Sequence, residues 1–174
     1  MIDLRNRIRN VPDFPKKGVG FKDITTLIGD GAALREAITR MKELYRNEMI
    51  DSIVGIESRG FLFAAILAYE LGIGIVPVRK PGKLPHKTIA ETYELEYGTD
   101  SLEIHADALK KNQRVLVVDD LLATGGTVRA AIKLVEKLDA EVIGCCFLIE
   151  LDFLKGREKL KNYRIESLVH YDEE

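Results

Sequence analysis

The sequence predicts an α/β fold, with a central, mainly parallel and twisted sheet flanked by helices and one inserted antiparallel hairpin. Short apolar runs such as residues 115–118 are typical of strands that are buried on both faces. Stretches with apolar residues at helical spacing alternate with these runs, which is typical of parallel strands joined by helices. Residues 87–105 interrupt the alternation with a period of two, and this pattern predicts the hairpin.

The first half of the chain begins with a predicted helix over residues 3–10, followed by a connection rich in proline and glycine over residues 11–20. The remaining elements of this half are an amphipathic helix, a strand, a second helix and a second strand, over residues 31–47, 52–56, 60–71 and 73–78. Their order is typical of a parallel pair of strands joined by a helix.

The same alternation returns after the hairpin. The predicted elements are a strand, a helix, a long strand, a short helix and a last strand, over residues 114–119, 128–138, 141–151, 155–160 and 165–169. Cys145 and Cys146 are neighbours in the long strand, so their side chains should point to opposite faces of the sheet. We expect both cysteines to be reduced core residues that form neither a disulfide nor a metal site.

Length and composition agree with a single domain over residues 1–174. A chain of this length with 46% hydrophobic residues can bury a sizeable core. The net charge of −2 gives no general attraction to nucleic acid, and the charged amino terminus lacks the apolar stretch of a signal peptide. The sequence has no run of about twenty apolar residues that could span a membrane. We therefore expect a cytoplasmic protein that binds neither nucleic acid nor a membrane.

The stretch RVLVVDDLLATGGT, at residues 114–127, carries the strongest functional pattern. Its strand is expected to end at Asp119 and Asp120, where the carboxyl ends of parallel strands face a ligand-binding crevice. Ionised carboxylates only accept hydrogen bonds, so the pair suits two ribose hydroxyls. Backbone N–H groups of the small residues that follow can hold a phosphate at the start of a helix. These residues, called the phosphate turn below, are Ala123, Thr124, Gly125, Gly126 and Thr127.

Of two other interpretations of this stretch, the first remains open and the second is not indicated. The first is a purely structural turn in which Thr127 caps the following helix, although a cap requires neither the carboxylate pair nor the two glycines. The second is a P-loop for nucleoside triphosphates, which requires a lysine directly before its last serine or threonine. Gly126 occupies that position here. We favour a sugar-phosphate site over both.

The combination of apolar strand, two aspartates and ATGGT resembles the motif with which type I phosphoribosyltransferases bind 5-phosphoribosyl 1-pyrophosphate (PRPP). Further segments resemble the adenine-using members of that family along almost the whole chain: PDFPKKGVGFKDIT, GIESRGFLF, VRKPGKLP, YELEYG and LKGREKL, at residues 12–25, 55–63, 78–85, 93–98 and 154–160. The resemblance implies the type I phosphoribosyltransferase fold and a homodimer. It also implies transfer of the phosphoribosyl group to adenine, giving AMP and pyrophosphate in purine salvage.

The resemblance also suggests functions for the hairpin and for the basic cluster that precedes it. We interpret residues 82–105 as a hood that excludes water from the reacting sugar, with a solvated edge hairpin as the alternative. The basic residues Arg79, Lys80 and Lys83 follow a predicted strand and, together with Arg59, can neutralise the departing pyrophosphate. A basic loop without such a neighbouring motif is usually only solvated.

The phosphate charge of PRPP also requires a metal ion. The histidines His86, His105 and His170 are scattered without the spacing of metal ligands. We therefore assign no metal ligand to the protein, and we expect Mg²⁺ to be held mainly by the oxygens of PRPP and by water.

The proton that adenine loses requires an acceptor. Enzymes of this family that use 6-oxopurines carry an acidic residue directly before the Thr-Gly of the phosphate turn, whereas this chain has Ala123. Glu96 matches the glutamate that serves the adenine enzymes as the base, and Tyr97 would close over the site beside it. Desolvation under a closed hood would raise the pKa of the Glu96 carboxyl, which suits a general base.

The resemblance implies that the amino-terminal segment, about residues 1–30, contributes to the adenine pocket. Phe21 would pack on the purine face, although a core aromatic is the alternative. Backbone atoms of Gly20 and Lys22 would bind the adenine edge, and Leu151 would form an apolar wall. Some relatives have valine and arginine at the positions of Gly20 and Lys22, and recognition by backbone atoms tolerates both changes.

Two other functions are weighed against this one. A phosphoribosyltransferase for another base, such as orotate or xanthine, would share the strand and the acidic pair, but the LEYG and KLP segments favour adenine. A non-catalytic regulator that senses PRPP would require a DNA-binding module or a basic face. The catalytic motifs already fill the 174 residues, which leaves no room for such a module.

Overall fold

A computed structural model describes residues 2–94 and 98–173. Its strands, in chain order, are β1 (Arg9–Val11), β2 (Phe21–Asp23), β3 (Ser52–Ile56), β4 (Gly74–Val78), β5 (Thr88–Glu94), β6 (Thr99–His105), β7 (Arg114–Leu122), β8 (Glu141–Leu151) and β9 (Ile165–Tyr171). Its helices are α1 (Thr25–Ile28), α2 (Gly31–Leu44), α3 (Gly60–Leu71) and α4 (Gly126–Lys137), and 3₁₀ turns lie at Arg5–Arg7, Asp152–Leu154 and Gly156–Leu160.

The central sheet has the spatial order β4-β3-β7-β8-β9, and each neighbouring pair in it is parallel. Strand β7 lies in the middle of this sheet between β3 and β8, so its carboxyl end opens at the centre of one edge. This arrangement confirms the predicted α/β fold with a parallel sheet and helices. No helix in the described part of the chain combines the length and the apolar composition that crossing a membrane demands.

One buried apolar cluster lies on each face of the sheet. Strand β7 contributes Leu116 and Val118 to the cluster that includes α2 and α3, and it contributes Val115 and Val117 to the cluster that includes α4. This alternation follows from the period of two in a strand. The two neighbouring cysteines divide between the clusters in the same way, and both are free and buried, as predicted.

The predicted hairpin is confirmed as the antiparallel pair β5 and β6, which pair in register from Thr88 with His105 to Glu94 with Thr99. Leu102 and Ile104 of β6 are fully buried in the cluster that includes α4. The base of the hairpin therefore belongs to the core and is not a solvated edge. Its role as a mobile hood stays a prediction.

The prediction of a helix over residues 3–10 is wrong. Only Arg5–Arg7 form a 3₁₀ turn, and Arg9–Val11 form β1, which pairs antiparallel with β2. The Asp3 side chain accepts hydrogen bonds from the backbone N–H of Arg5 and from the side-chain amide of Asn6. Such local bonds compete with the helical ones, and the pairing with β2 fixes an extended backbone beyond them.

The prediction that β7 ends at Asp119 and Asp120 is also wrong, because the strand continues to Leu122. It continues because the neighbouring strand β8 is long enough to pair with it, Leu121 with Ile149 and Leu122 with Glu150. The two aspartates therefore lie inside β7, a few residues before its end. Other boundaries differ by a few residues: α2 ends earlier than predicted, α4 begins earlier and β9 ends later.

Candidate active site

A cavity of about 200 Å³ lies at the carboxyl end of β7. It is lined by Arg59, Asp119, Asp120, Leu121, Leu122, Ala123, Thr124, Gly125, Thr127 and Val128. Residues from two separate motifs thus meet at one place, because the ends of β3 and β7 are neighbours in the sheet. Whole-ligand pockets usually measure about 300–1,000 Å³, so this cavity suits one part of a larger ligand.

The two aspartates of β7 are held by different neighbours. Asp119 accepts the backbone N–H of Asp120 at 2.8 Å, and it lies so close to the start of α3 that a Cβ at Gly60 would come within 2.6 Å of its carboxyl. Asp120 is only 5% exposed, and its carboxyl lies 2.5 Å from the guanidinium of Arg59. Two consecutive residues at the start of α3 therefore serve the aspartates: Gly60 leaves room for Asp119, and the N-cap residue Arg59 is the countercharge of Asp120.

Burial shifts the pKa of both carboxyls upward. Desolvation raises the pKa of Asp119 well above its usual value, and the negative charge of Asp120 adds to this effect. Desolvation also raises the pKa of Asp120, although the guanidinium of Arg59 opposes the increase. Ionising both carboxyls is therefore unfavourable without a ligand. Hydroxyl donors or a cation in the cavity would lower the free energy of the ionised pair.

The phosphate turn is formed by its backbone. Gly125 has a φ of +79°, a left-handed conformation that favours glycine, and it begins α4 without any side-chain cap. Thr127 does not cap the helix, because Gly125 occupies the N-cap position and Thr127 lies in the first turn, where its hydroxyl donates to the Tyr93 hydroxyl at 3.4 Å. The first N–H groups of α4 thus remain available to an anion, as an uncapped helix start requires.

A second backbone segment lies directly behind this turn. A Cβ at Gly125 would lie 2.5 Å from the carbonyl oxygen of Gly156, and a Cβ at Gly156 would lie 3.0 Å from the backbone nitrogen of Gly125. Sequence reasoning gave Gly156 no role. A signal was available, because a glycine inside a predicted short helix is unfavourable unless the backbone needs the space.

Three of the four predicted pyrophosphate-binding cations, Arg59, Arg79 and Lys80, are already paired with carboxylates of the same chain. Arg79 makes two bonds of 3.2 Å to Glu57, and its third nitrogen donates to the carbonyl of Lys83 at 3.1 Å. The ammonium of Lys80 contacts the carboxylate of Asp100 and lies 3.4 Å from the Tyr93 hydroxyl. These partners could not be recognised from the sequence, because they come from separate segments.

The ion pairs of this cluster shift its pKa values in the expected directions. Burial raises the pKa of Glu57, but hydrogen bonds from Arg79 and from the backbone of Lys80 outweigh it, and the net shift is downward. Burial lowers the pKa of Lys80, but the bond to Asp100 outweighs it, and the net shift is upward. Both ion pairs therefore remain fully charged near neutral pH.

Phe21 of β2 lies near the cavity without being part of the core. It is half-buried, its ring packs edge-on against Phe14 at 5.1 Å, and the guanidinium carbon of Arg59 lies 5.0 Å from its centroid. Arg59 thus lies between Phe21 and Asp120. This contact connects the predicted base side of the site to its predicted ribose side.

The other residues predicted for the adenine pocket are placed as follows. Gly20 directly precedes β2, and the Lys22 side chain is buried, donating to Asn10 at 3.0 Å and lying 4.4 Å from the Tyr171 ring centroid. Leu151 is the last residue of β8 and packs in the core cluster that includes α2. Their contacts with a base stay predictions.

Glu96 and Tyr97, the predicted catalytic residues, lie outside the described residues. The hairpin nevertheless reaches the phosphate turn through Tyr93, whose ring would lie 3.3 Å from a Cβ at Gly126. The Tyr93 hydroxyl also lies 3.3 Å from the carboxylate of Asp100. The end of β5 that leads to Glu96 is therefore adjacent to the cavity.

A profile of the phosphoribosyl transferase domain matches residues 26–170 of the chain. The adenine phosphoribosyltransferase of Acetivibrio thermocellus is 59% identical over 171 residues, which cover 98% of this chain and all of that protein. The crystal structure of the adenine phosphoribosyltransferase from Thermoanaerobacter pseudethanolicus has a TM-score of 0.95 at 55% identity, covering 97% of this chain and 98% of that one.

A second solved structure contains ligands. It is the adenine phosphoribosyltransferase from Saccharomyces cerevisiae in complex with D-2,5-dideoxy-2,5-imino-altritol 1,6-bisphosphate and adenine, with a TM-score of 0.89 at 43% identity. The similarity covers 95% of this chain and 96% of the yeast chain. The likeness therefore extends over nearly the full length of each protein and includes every segment that lines the cavity.

Proposed function

This chain belongs to the phosphoribosyl transferase family and has its type I fold, and we propose that the cavity at the end of β7 is its catalytic centre. The chain is a pentosyltransferase that transfers the 5-phosphoribosyl group of PRPP to adenine, giving AMP and pyrophosphate in purine salvage. The observation that carries the proposed location is the convergence of the carboxylate pair and the phosphate turn on one cavity.

The ribose 5-phosphate part of PRPP occupies this cavity. The backbone N–H groups at the start of α4 bind the 5-phosphate, and the partial positive charge of the helix start favours that anion. Asp119 and Asp120 accept hydrogen bonds from the two ribose hydroxyls, which supply the donors that the buried carboxylates need. The sugar is thereby held with its anomeric carbon toward the base and the pyrophosphate.

Pyrophosphate is bound by exchange of ion-pair partners. Arg59, Arg79 and Lys80 each face an internal carboxylate, and Lys83 is exposed beside them. When pyrophosphate arrives, these cations can turn from their carboxylates to its oxygens, arginine with a fork of two bonds. The internal carboxylates compete with pyrophosphate for these cations. The free energy needed to release pyrophosphate is therefore smaller than it would be at a site of unpaired cations.

The base is bound at the side of Phe21. In this proposal the ring of Phe21 packs on adenine, backbone atoms of Gly20 and Lys22 bind its edge, and Leu151 closes the opposite side. Glu96 takes the proton that the imidazole ring of adenine loses as the bond to the anomeric carbon forms, and Tyr97 covers the site. Excluding water protects the sugar while it carries positive charge.

Mg²⁺ enters this proposal as an ion bound mainly through PRPP, where it supplies neutralisation of phosphate charge. The cavity suits a hard cation, because buried carboxylate oxygens whose pKa values are raised gain from a nearby positive charge. Another group with metal-ligand spacing in the described residues is Glu150, Asp152 and His170. We do not propose this group as a Mg²⁺ site, because Arg157 already donates to both carboxylate oxygens of Glu150.

A homodimer and a cytoplasmic location complete the proposal. Helix α3 exposes Leu62 and Tyr69, which lie seven residues apart on one side of the helix, and Tyr69 is 83% exposed. Exposed apolar side chains at helical spacing support a subunit contact. Sedimentation velocity at micromolar concentration tests this part, since a monomer would contradict it.

The test of the function is a base-competition assay. Purified protein, PRPP and Mg²⁺ are offered adenine, hypoxanthine, guanine, xanthine or orotate separately, and pyrophosphate release is recorded. We expect release with adenine alone. Release with another base would contradict the base pocket but keep the PRPP site. If PRPP bound without any release, a PRPP-sensing regulator would replace the enzyme.

A further inference from the structure

The phosphate turn is packed against the backbone of a segment that touches no part of the substrate in the proposed mechanism. Gly125 and Gly156 approach so closely that neither position has room for a Cβ. The carbonyl oxygen of Ala123 is the atom nearest to a Cβ at Gly156, so a side chain at that position would collide with it. The position of the phosphate turn therefore depends on the position of Gly156.

Gly156 is fixed through the residue that follows it. The guanidinium of Arg157 donates to both carboxylate oxygens of Glu150, at 2.8 and 2.6 Å, and its third nitrogen donates to the carbonyl of Ile165 at 2.8 Å. All three bonds have near-ideal lengths for charged groups. The 3₁₀ turn that begins at Gly156 is thereby attached to both β8 and β9.

Glu150 is a rigid anchor for this attachment. It is 3% exposed, and in the sheet it stands in register between Leu122 of β7 and His170 of β9. The hydroxyl of Ser167 donates to it at 2.7 Å. Burial raises the pKa of Glu150, but the bonds from Arg157 and Ser167 outweigh this effect and the net shift is downward, so the carboxylate stays charged.

We propose that Glu150 and Arg157 are positioning residues for the 5-phosphate site, acting through Gly156 on the phosphate turn. The anchor lies beside Leu122, the last strand residue before that turn, so both ends of the connection rest on the same rigid sheet. This inference rests on the proposed role of the phosphate turn. It predicts that loosening the pair weakens ligands that carry the 5-phosphate and leaves adenine binding unchanged.

The chain contains a matched control for this ion pair. Arg164 bonds Glu166 at 2.9 Å and the carbonyl of Leu44 at 2.6 Å, and its side chain is 41% exposed, against 46% for Arg157. Arg164 therefore also bonds a carboxylate and a backbone carbonyl, but the described contacts do not connect it to the phosphate turn. The two arginines thus make the same kinds of bond at different places, although Glu166 is more exposed than Glu150 and Arg164 also lies 3.4 Å from Glu48.

The first experiment compares Arg157→Lys with Arg164→Lys. Lysine keeps the positive charge but cannot reproduce the three bonds of the guanidinium fork. For R157K we expect the KM for PRPP and the Kd for AMP to rise by about tenfold, because small displacements of a binding group are costly, while the KM for adenine stays unchanged. For R164K we expect all three values to stay as in the wild type.

A second comparison removes both charges of each pair. The double variant E150Q/R157Q leaves no uncompensated buried charge, which would otherwise dominate the result, and R164Q/E166Q is its counterpart. A selective loss of AMP and PRPP binding in the first double variant supports the inference. Equal effects of the two double variants, or a parallel loss of adenine and AMP binding, would overturn it.

The outcome separates this inference from the proposed function. If the wild type forms no AMP from adenine and PRPP, the proposed function fails. If the wild type forms AMP and R157K has wild-type constants for PRPP and AMP, the function stands and the positioning role is wrong. A lower unfolding temperature in R157K with unchanged constants would leave the pair as a structural ion pair only, which also contradicts the inference.

Discussion

Two groups of residues are proposed to bind PRPP, and they are built in different ways: the phosphate side, residues 119–127, lines the cavity at the end of β7, and the pyrophosphate side consists of Arg79 and Lys80. On the phosphate side, the aspartates and the turn belong to one continuous stretch, residues 119–127, and the backbone groups proposed to bind the phosphate lie between β7 and α4. On the pyrophosphate side, Arg79 and Lys80 are side chains 32% and 40% exposed, and each faces a carboxylate from another segment.

The two sides therefore differ in what must change in the protein when a ligand binds. On the proposed phosphate side the backbone groups are already in place, so we expect a ligand to bind there without rearrangement of ion pairs. The pyrophosphate side is balanced, because a ligand must displace Glu57 and Asp100 from cations that they already neutralise. The first arrangement favours tight and specific binding, whereas the second favours exchange of a group that has to leave after each turnover.

We expect the largest effect from Glu96, which belongs to neither side. Its substitution tests whether PRPP binding is independent of proton transfer. Glu96→Gln removes the proposed general base, so kcat should fall by about 10²–10⁴-fold while the Kd for PRPP stays unchanged. Single-turnover kinetics and direct PRPP titration measure the two quantities. A Kd for PRPP that rises in parallel with the loss of kcat would contradict the role of Glu96.

The next effect tests the phosphate side. Asp120→Asn removes the proposed carboxylate acceptor for ribose and the countercharge of Arg59. We expect the KM for PRPP to rise by about 10–100-fold, since hydrogen bonds to charged groups contribute about 1.5–3 kcal/mol. Initial rates at saturating adenine measure this change. Unchanged saturation by PRPP would argue that Asp120 does not contact the ribose.

Asp119→Asn should have opposite effects on stability and on binding. The raised pKa of Asp119 means that the folded protein binds more protons than the unfolded chain, so the stability of the free wild type falls as pH increases from the usual aspartate range toward the raised value. The variant should lack this fall. At neutral pH its unfolding temperature should be higher by about 2–4 °C, and PRPP should stabilise it less.

Thermal unfolding between pH 4 and 8, with and without PRPP, measures both effects of Asp119→Asn. A variant that unfolds at a lower temperature than the wild type at neutral pH would show that the Asp119 charge is already compensated. That result would remove the reason for expecting the carboxylate pair to gain from a ligand.

A smaller effect tests the balanced side. Asp100→Asn frees Lys80 from its internal partner, and pyrophosphate should then bind about two- to five-fold more tightly, in line with the modest strength of partly exposed ion pairs. Asp107→Asn is the control, because Asp107 lies nearby on the chain but its carboxylate lies 3.9 Å from the His86 ring. Product-inhibition constants provide the measurement, and weaker pyrophosphate binding in D100N would contradict the competition.

The smallest effect concerns the contact between the two sides. The Tyr93 hydroxyl lies 3.3–3.4 Å from Thr127, Asp100 and Lys80, distances at which hydrogen bonds are weak. For Tyr93→Phe we expect less than about a threefold change in either the PRPP or the pyrophosphate constant. A larger change in both constants would show that the two sides are coupled through this hydroxyl.

Sequence reasoning was most successful where the relevant residues are neighbours in the chain. The strands β3 and β8 and the helix α3 have the predicted boundaries, because an uninterrupted apolar run or a helical period is a local property. The phosphate turn was predicted for the same reason, and the structure places its lining residues with Asp119 and Asp120 in one cavity.

Prediction from sequence failed where a distant segment decides the local conformation. Residues 3–10 were predicted as a helix, but pairing with β2 makes part of them a strand. Strand β7 was predicted too short, because the length of β8 decides how far its neighbour extends. In both cases hydrogen bonds to another strand determine the backbone, and the residues concerned carry no local sign of that partner.

The sequence by itself determined the α/β class, the residues of the phosphate turn, the family and the choice of adenine, because these depend on local patterns and on contiguous motifs. Only the tertiary structure decided which carboxylate neutralises each cation, that Arg59 lies between Phe21 and Asp120, and that Gly156 stands behind the phosphate turn. The physical reason is that such contacts join side chains and backbones far apart in the chain, and their energies depend on distance and burial after the sheet has formed.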